Sequence, residues 1–189
     1  MEIEADLPEE GKDRRLNRLV AVTVVTLSVF MAVANIKDDN LVQAMQLAKS
    51  NAIDTWSEYQ ATKTKAHIVD TARTEMALIA GGTPSPAAVV ALASMDQEAA
   101  KYAAETPVLK AKAEADDAQY DALNTHDDQF DMSDALLSIA ISLAAVAALA
   151  ETWWLLFTAW GFGAFGLVMG VAGFAGWMIH PDALASFLS

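Results

Sequence analysis

Apolar residues are concentrated in two blocks of the chain, separated by a long polar region. The first block, Leu19–Ile36, carries no charged residue over 18 positions, and the second, Ala135–Ile179, carries only Glu151 over 45 positions. About 20 helical residues cross the ~30 Å hydrocarbon core of a bilayer, so the first block is long enough for one crossing and the second for two. The pattern predicts transmembrane helices at residues 18–36, 133–150 and 153–179. A turn at Gly161–Gly163 would shift the last two spans without changing their number.

The first apolar block also has the outline of a secretory signal. Basic residues precede it, and Ala32-Val33-Ala34 has the small-x-small spelling of a signal-peptidase site. However, the block is longer than the roughly 7 to 15 apolar residues usual for a signal, and helical spacing of apolar residues continues beyond it. We therefore interpret it as an uncleaved anchor whose helix emerges into water.

The polar region, residues 37–132, repeats its apolar residues at helical steps of three and four in two stretches, Leu41–Val69 and Leu92–Leu123. The segment GGTPSP between them stops a helix, because paired glycines destabilise helices and prolines do not continue them. Ser85-Pro86 then supplies an N-cap and a first helical residue. We expect an antiparallel helical hairpin with its turn at residues 81–85 and an alanine-rich coiled-coil seam.

Pro107 lies inside the second leg of this predicted hairpin. A proline in a helix removes one backbone hydrogen bond and clashes with the preceding turn. Two outcomes are open near residues 105–107: a kinked but continuous helix, or a break in which Thr106 caps a new helix.

The N-terminal residues supply the orientation signal. Residues 1–17 mix charges of both signs with Pro8 and Gly11 and lack apolar periodicity, so they are predicted to form a mobile cytoplasmic tail. Residues 180–189 are predicted to form a C-terminal tail. Positive charge that flanks a span favours the cytoplasmic side of the membrane. We therefore expect a cytoplasmic N-terminus and an extracytoplasmic hairpin from the four basic residues before the first span, Lys12, Arg14, Arg15 and Arg18.

From Leu16 to Ile68, the chain resembles a family of uncharacterised bacterial membrane proteins catalogued as domain of unknown function 4337. The likeness rests mainly on a cluster after the first span, Trp56, Tyr59, Gln60, Ala61 and Lys63. It continues in Phe130-Asp131 and in the segment ALLSIAISLAAVAALA, and so covers nearly the whole chain. The family often has basic residues between its last two spans, where this chain has Glu151-Thr152. The resemblance implies three spans and a helical extramembrane hairpin, and it implies no activity.

Composition excludes several classes of function. The formal net charge is −13, which opposes binding to nucleic acid and to anionic lipid surfaces, because both need a surplus of Lys and Arg. The chain contains no cysteine, so disulfides, thiolate zinc sites and cysteine nucleophiles are excluded.

The segment THDDQFD is the strongest sequence candidate for a metal site, with His126, Asp127, Asp128 and Asp131. The central glycine of a calcium loop is missing, and neighbouring helical residues point in different directions. We therefore interpret the segment as a solvated acidic turn near the membrane, with a divalent metal site as the alternative. Nucleophile elbows, phosphate loops and metal-binding helix motifs do not occur in the sequence, so we predict no enzyme activity and no cofactor.

Two surfaces are candidates for interaction. Four residues of the first leg lie at helical spacings and form either a recognition patch or part of the hairpin packing: Trp56, Tyr59, Gln60 and Lys63. The last span has glycines at steps of three and four, and glycine lets helices approach closely in lipid. This predicted helix-packing face, against the other spans or another subunit, comprises Gly163, Gly166, Gly170, Gly173 and Gly176.

Together these patterns predict an all-α membrane protein with three transmembrane helices and a long antiparallel extramembrane hairpin between the first and second. The expected location is a bacterial inner membrane. The expected role is a non-enzymatic scaffold or accessory subunit, a homo-oligomer or a subunit of a larger membrane complex, with the lipid bilayer as its other partner. The alternative is an oligomeric channel or small-solute pore.

Overall fold

The computed structural model describes the backbone of residues 9–177 and the side chains of residues 14–177. Within these residues the fold is entirely helical: α1 (Glu9–Ala80), α2 (Pro86–Leu149) and α3 (Trp153–Ala175), with no β-strand. Each of the three helices contains a segment long and apolar enough to cross a membrane. The predicted tail at residues 180–189 lies outside the described residues.

The helix ends follow local sequence chemistry. The helix α1 ends at Ala80, and Gly81 next to it has φ +60°, a left-handed conformation that glycine adopts at low cost. The helix α2 begins at Pro86, and the Ser85 hydroxyl accepts a hydrogen bond from the Ala88 N–H at 3.2 Å. Residues 81–85 therefore connect α1 to α2.

The connection from α2 to α3 takes only residues 150–152. Glu151 adopts φ +52°, which is uncommon for a residue other than glycine. The Thr152 N–H donates to the carbonyl of Ala147 at 3.0 Å, which closes the turn at the end of α2. Glu151 and Thr152 therefore belong to a tight connection between α2 and α3.

The N-terminal part of α1 differs from the predicted tail. The helix begins at Glu9, so residues 9–17 are helical although they lack apolar periodicity. Because extending an existing helix costs far less than nucleating one, the apolar segment that follows can carry the helix back into these polar residues. Residues 1–8 lie outside the described residues.

Pro107 lies in the interior of α2, and the helix is continuous through it. The neighbouring Thr106 hydroxyl donates at 2.6 Å to the carbonyl of Tyr102, one residue before the Ala103 carbonyl that loses its partner to the proline. Of the two outcomes open from the sequence, the helix does not break here.

The helices contribute to two compact units. Unit 1 comprises Met1–Ala44 with Ala122–Ser189, and unit 2 comprises Met45–Asp121. In unit 1 all three helices meet, and one core cluster joins Leu16 and Val20 of α1 to Leu156 and Ala159 of α3. Leu27, Leu137 and Ala140 form a second cluster in the same unit.

In unit 2, α1 packs against α2 along a seam of small residues. Ala48, Ala52 and Ala113 are buried there, together with the hydroxyl-bearing Thr55 and Thr62. As residue numbers rise along α1, the numbers of the contact partners on α2 fall: Lys49 contacts Tyr120, Thr55 contacts Asp116, and Arg73 contacts Asp96.

Candidate interaction surfaces

The glycines of α3 pack against α1 and α2 inside unit 1. Gly163, Gly166, Gly170 and Gly173 are buried. A Cβ on Gly170 would lie 2.6 Å from Cε1 of Phe30 and 2.7 Å from the Ser133 hydroxyl. A Cβ on Gly173 would lie 2.9 Å from the ring of Phe130. The missing side chains therefore make room for large residues of the same chain.

Gly176 differs from the other four glycines. It is exposed, a Cβ there would meet no atom within 4 Å, and its φ is +68°. It is the C-cap of α3, and the last described hydrogen bond of the helix, 3.0 Å long, runs from the Trp177 N–H to the Ala172 carbonyl. Its spacing continues the glycine series, but its chemical role is to end the helix.

The four residues of the predicted patch divide between packing and exposure in unit 2. The Trp56 Nε1–H donates to a carboxylate oxygen of Asp117 on α2 at 2.7 Å. The ring of Tyr59 lies edge-on to Trp56, with 5.5 Å between ring centroids, and both side chains are half-buried. Gln60 and Lys63 are exposed, and the Lys63 Nζ lies 5.8 Å from the centre of the Tyr59 ring. Trp56 therefore belongs to the contact between α1 and α2, while Gln60 and Lys63 face solvent.

The predicted topology residues lie at one end of unit 1, which we name the basic–aromatic end: Arg14, Arg15 and Arg18 with Trp153, Trp154 and Phe157. The three arginine side chains are exposed, and the side chain of Lys12 lies outside the described residues. Trp153 packs against the core cluster that contains Leu16. Basic and aromatic side chains thus occur at the same end of unit 1.

The segment THDDQFD is helical, which overturns the predicted acidic turn, because α2 continues without interruption to Leu149. His126, Asp127 and Asp128 are half-buried, since this part of the helix packs within unit 1. Within residues 14–177 no group of His, Cys, Asp or Glu residues forms a metal-ligating cluster.

This segment instead forms a carboxylate contact with α1. Asp38 faces Asp127, and two carboxyl groups can share a hydrogen bond only when one of them carries a proton. The Asp38 Oδ1 atom is buried, and no N–H or O–H group in the described part of the chain donates to it. A shared proton would satisfy this oxygen.

The electrostatics favour that proton. Burial, followed by the neighbouring charges of Asp127 and Asp131, raises the pKa of Asp38 to about 6. Burial and then the charges of Asp131 and Asp128 raise the pKa of Asp127 as well, and the pKa of Asp131 shifts in the same direction. These residues lie outside the predicted spans, at the end of unit 1 that we name the acidic end.

Gln129 is a structural residue that the sequence analysis missed. Its side chain is fully buried, and its Nε2 donates to the carbonyl of Trp177 at 2.8 Å, just beyond the end of α3. Its Oε1 lies 3.2 Å from His126 Nδ1. One sequence feature could have identified Gln129: it is an amide within a run of acidic residues. It also lies four residues before Ser133, which is buried on the same side of α2.

The open clefts described in unit 2 flank the connection between α1 and α2. One, of about 460 Å³, is lined by residues that include Arg73, Leu78 and Asp96; the other, of about 560 Å³, includes Met76 and Ile79. In the first cleft the Thr74 hydroxyl donates to the Asp70 carbonyl of its own helix, and Asp96 is paired with Arg73, so these polar groups make structural contacts.

Comparison with known proteins places this helical architecture in one family. No curated protein and no solved structure matches the chain. The sequence model described as Domain of unknown function (DUF4337) matches residues 16–176, a range that begins in the first turns of α1 and ends at the C-cap of α3. The resemblance found in the sequence is thereby confirmed, and the chain belongs to the DUF4337 family.

Proposed function

We propose that this protein is a non-enzymatic integral membrane scaffold or accessory subunit. In this proposal unit 1 is embedded in the bilayer, and unit 2 is an extramembrane helical hairpin that contacts other copies of the chain or a partner protein. The basic residues before the first span support a cytoplasmic N-terminus and an extracytoplasmic hairpin, in a bacterial inner membrane.

The observation that carries the proposal is an exposed apolar surface at the α1–α2 connection. Leu78 and Ile79 are 77% and 87% exposed, and Val89 and Val90 of α2 are also exposed. No charged residue occurs from Met76 to Met95. Aliphatic side chains grouped in this way mark interaction sites on water-facing surfaces. We name this surface the apolar tip.

The alternative, an oligomeric pore lined by glycines, has less support. Four glycines of α3 are in contact with Leu27, Phe30, Phe130 and Leu137 of their own chain. A pore lined by these glycines would need them to face a solvent path. The intrachain contacts favour a scaffold over a pore.

Site-specific cross-linking in cells tests the proposed role of the tip. A photoreactive amino acid replaces Ile79, and its products are compared with those from the same substitution at Ile68, which is also exposed. We expect defined adducts, with the chain itself or with one partner, from position 79 only. Absence of adducts at position 79, with a monomeric mass in native-like nanodiscs, would refute the scaffold role.

Orientation needs a separate test. Protease added to intact spheroplasts should cut near Gly81-Gly82 and spare an N-terminal tag, because the proposal puts residues 81–85 outside and the tag inside. Loss of the tag with an intact connection would invert the proposed topology.

A further inference from the structure

The two ends of unit 1 carry charges of opposite sign. Arg14, Arg15 and Arg18 contribute three positive charges within five residues that contain no acid, although the whole chain has a net charge of −13. Asp38, Asp127 and Asp131 gather at the acidic end. Six acids precede these arginines, the last of them Asp13, so the positive charge at this end is confined to one short run, residues 14–18, whose arginines are exposed.

The distance between the charged ends matches a bilayer. Arg18 and Asp38 are 20 residues apart on the continuous helix α1. At ~1.5 Å per residue this is about 30 Å, the thickness of a hydrocarbon core. When the acidic end lies at one headgroup layer, the basic–aromatic end lies at the other.

Exposed aromatic side chains accompany the arginines. Trp154 and Phe157 are 64% and 57% exposed, and Trp153, Phe157 and Trp160 form a ladder along α3 with centroid distances of 6.3 and 5.7 Å. The Trp160 Nε1–H donates to the Thr23 hydroxyl at 2.9 Å, which fixes the ladder against α1. Tryptophan favours the interface between acyl chains and headgroups, and arginine forms paired hydrogen bonds with phosphate.

We propose that the basic–aromatic end of unit 1 binds the headgroups of anionic phospholipids. The ligand is a lipid rather than a soluble phosphate, because the cations share this end of unit 1 with exposed aromatic side chains that acyl chains would cover. The inference rests on the membrane insertion proposed above and adds the lipid class that this end selects.

Quenching of tryptophan fluorescence by brominated lipids measures this preference. A background with Trp56→Phe and Trp177→Phe retains Trp153, Trp154 and Trp160 as reporters, all near the start of α3. The full chain is reconstituted in phosphatidylcholine vesicles that contain an equal mole fraction of brominated phosphatidylglycerol or brominated phosphatidylcholine.

We expect brominated phosphatidylglycerol to quench the tryptophans more strongly than brominated phosphatidylcholine does. Its relative affinity should be at least about fivefold higher, because one basic residue near an anionic surface contributes an effect of this size. Substituting Arg14, Arg15 and Arg18 by glutamine should abolish the preference. The control variant, with the same change of charge in unit 2, replaces Lys63, Lys65 and Lys101 by glutamine and should retain it.

Each remaining outcome has one meaning. Equal quenching by both lipids in the parent overturns the headgroup proposal and leaves membrane insertion standing, whereas no quenching by either overturns both. Sodium chloride should reduce the parent's preference by screening, which provides a test independent of the variants. A larger reduction by inorganic phosphate at the same ionic strength would assign the arginines to soluble phosphate and refute the lipid site.

Discussion

The two units pack by different means. In unit 1, glycines of α3 receive aromatic and aliphatic side chains, as Gly170 receives Phe30 and Gly173 receives Phe130. In unit 2 the seam consists of alanine and threonine, and polar groups such as Trp56 and Asp117 join the helices. Close contacts at glycine distinguish unit 1, which also has cross-helix hydrogen bonds such as that from Trp160 to Thr23. Unit 2 instead joins its helices by hydrogen bonds and an ion pair along a narrow apolar seam.

The difference between the units reflects their proposed solvents. In lipid the hydrophobic effect does not draw helices together, so close packing between small and large residues must stabilise them. In water a two-helix seam buries little surface, so cross-helix polar contacts help to fix the pairing. Substitutions in each unit, each compared with a control variant, test this contrast.

The largest expected effect is a substitution in the glycine face. Gly170→Leu places a side chain where Phe30 and Ser133 already lie, and overpacking of this kind costs about 3 kcal/mol. Gly161→Leu is the control, because a Cβ there meets nothing within 4 Å and both variants gain similar helix propensity. Unfolding in mixed detergent–SDS micelles, followed by tryptophan fluorescence, measures both. Equal stability of the two variants would show that the close contacts at Gly170 do not hold unit 1 together.

The next largest effect concerns the hydrogen bond between Trp56 and Asp117. Trp56→Phe removes the indole donor to a charged acceptor, for an expected loss of about 1.5 kcal/mol. A double-mutant cycle with Asp117→Asn isolates this contact from other effects of each change. The measurement is thermal unfolding followed by circular dichroism. Additive single and double changes would remove the polar contact from the description of unit 2.

A dependence on pH is expected in unit 1 through Asp38. Its pKa is raised from 3.8 to about 6, so the folded state binds the proton more tightly than the unfolded state. The stabilisation is therefore present in acid and is lost as pH rises from about 4 through about 6. Because the residue is partly exposed, we expect roughly 1 kcal/mol between pH 5 and pH 8.

The matched variants for this dependence are Asp38→Asn and Asp39→Asn. The first replaces the shared proton by a permanent N–H donor and should flatten the pH profile. The second removes the smallest of the charges that raise the pKa of Asp38, at the exposed neighbouring position, and should leave most of the slope in place. Unfolding in detergent at the two pH values gives both profiles. Asp127 and Asp131, whose pKa values are also raised, will leave some slope, but a slope undiminished by Asp38→Asn would reassign the proton to another group.

The smallest effect is expected for the ion pair of Arg73 and Asp96. Both side chains are about half exposed, so Arg73→Gln should cost no more than about 0.5 kcal/mol. The loss should shrink at high salt, since exposed charges are screened. Thermal unfolding at low and high ionic strength is sufficient, and Arg73→Lys is the control that keeps the charge. If Arg73→Gln lost more stability than Trp56→Phe, the ion pair would contribute more to unit 2 than the hydrogen bond of Trp56.

Local chemistry made the ends of the helices predictable. The segment GGTPSP ends α1 and starts α2 near the expected residues, since glycine and proline act through the backbone of their own neighbourhood. The same local argument left Pro107 open, because propensity alone does not decide whether packing retains a helix through a proline. It also missed the helical state of residues 9–17, which depends on the continuous helix that follows.

Contacts distant in sequence were not predictable in this way. Asp38 and Asp127 are 89 residues apart, and their contact depends on the register between α1 and α2. The glycine spacing identified the packing face but not its partners, Phe30 and Phe130, which lie on two other helices. Gly176 shared the spacing yet differs in role, because it follows the end of α3.

The packing of α1 against α3 also has a consequence for the order in which unit 1 assembles during synthesis. Leu16 and Leu156 belong to one core cluster and are separated by 140 residues of chain. At about 5 to 20 residues per second, the ribosome needs roughly 7 to 28 s to make that intervening length. During this interval α1 is present while its glycine-bearing partner has not been made. Under the membrane insertion proposed above, a nascent α1 therefore stays in the bilayer without α3 for this interval, and α2, which is made earlier, is the only other helix of unit 1 that can pack against it.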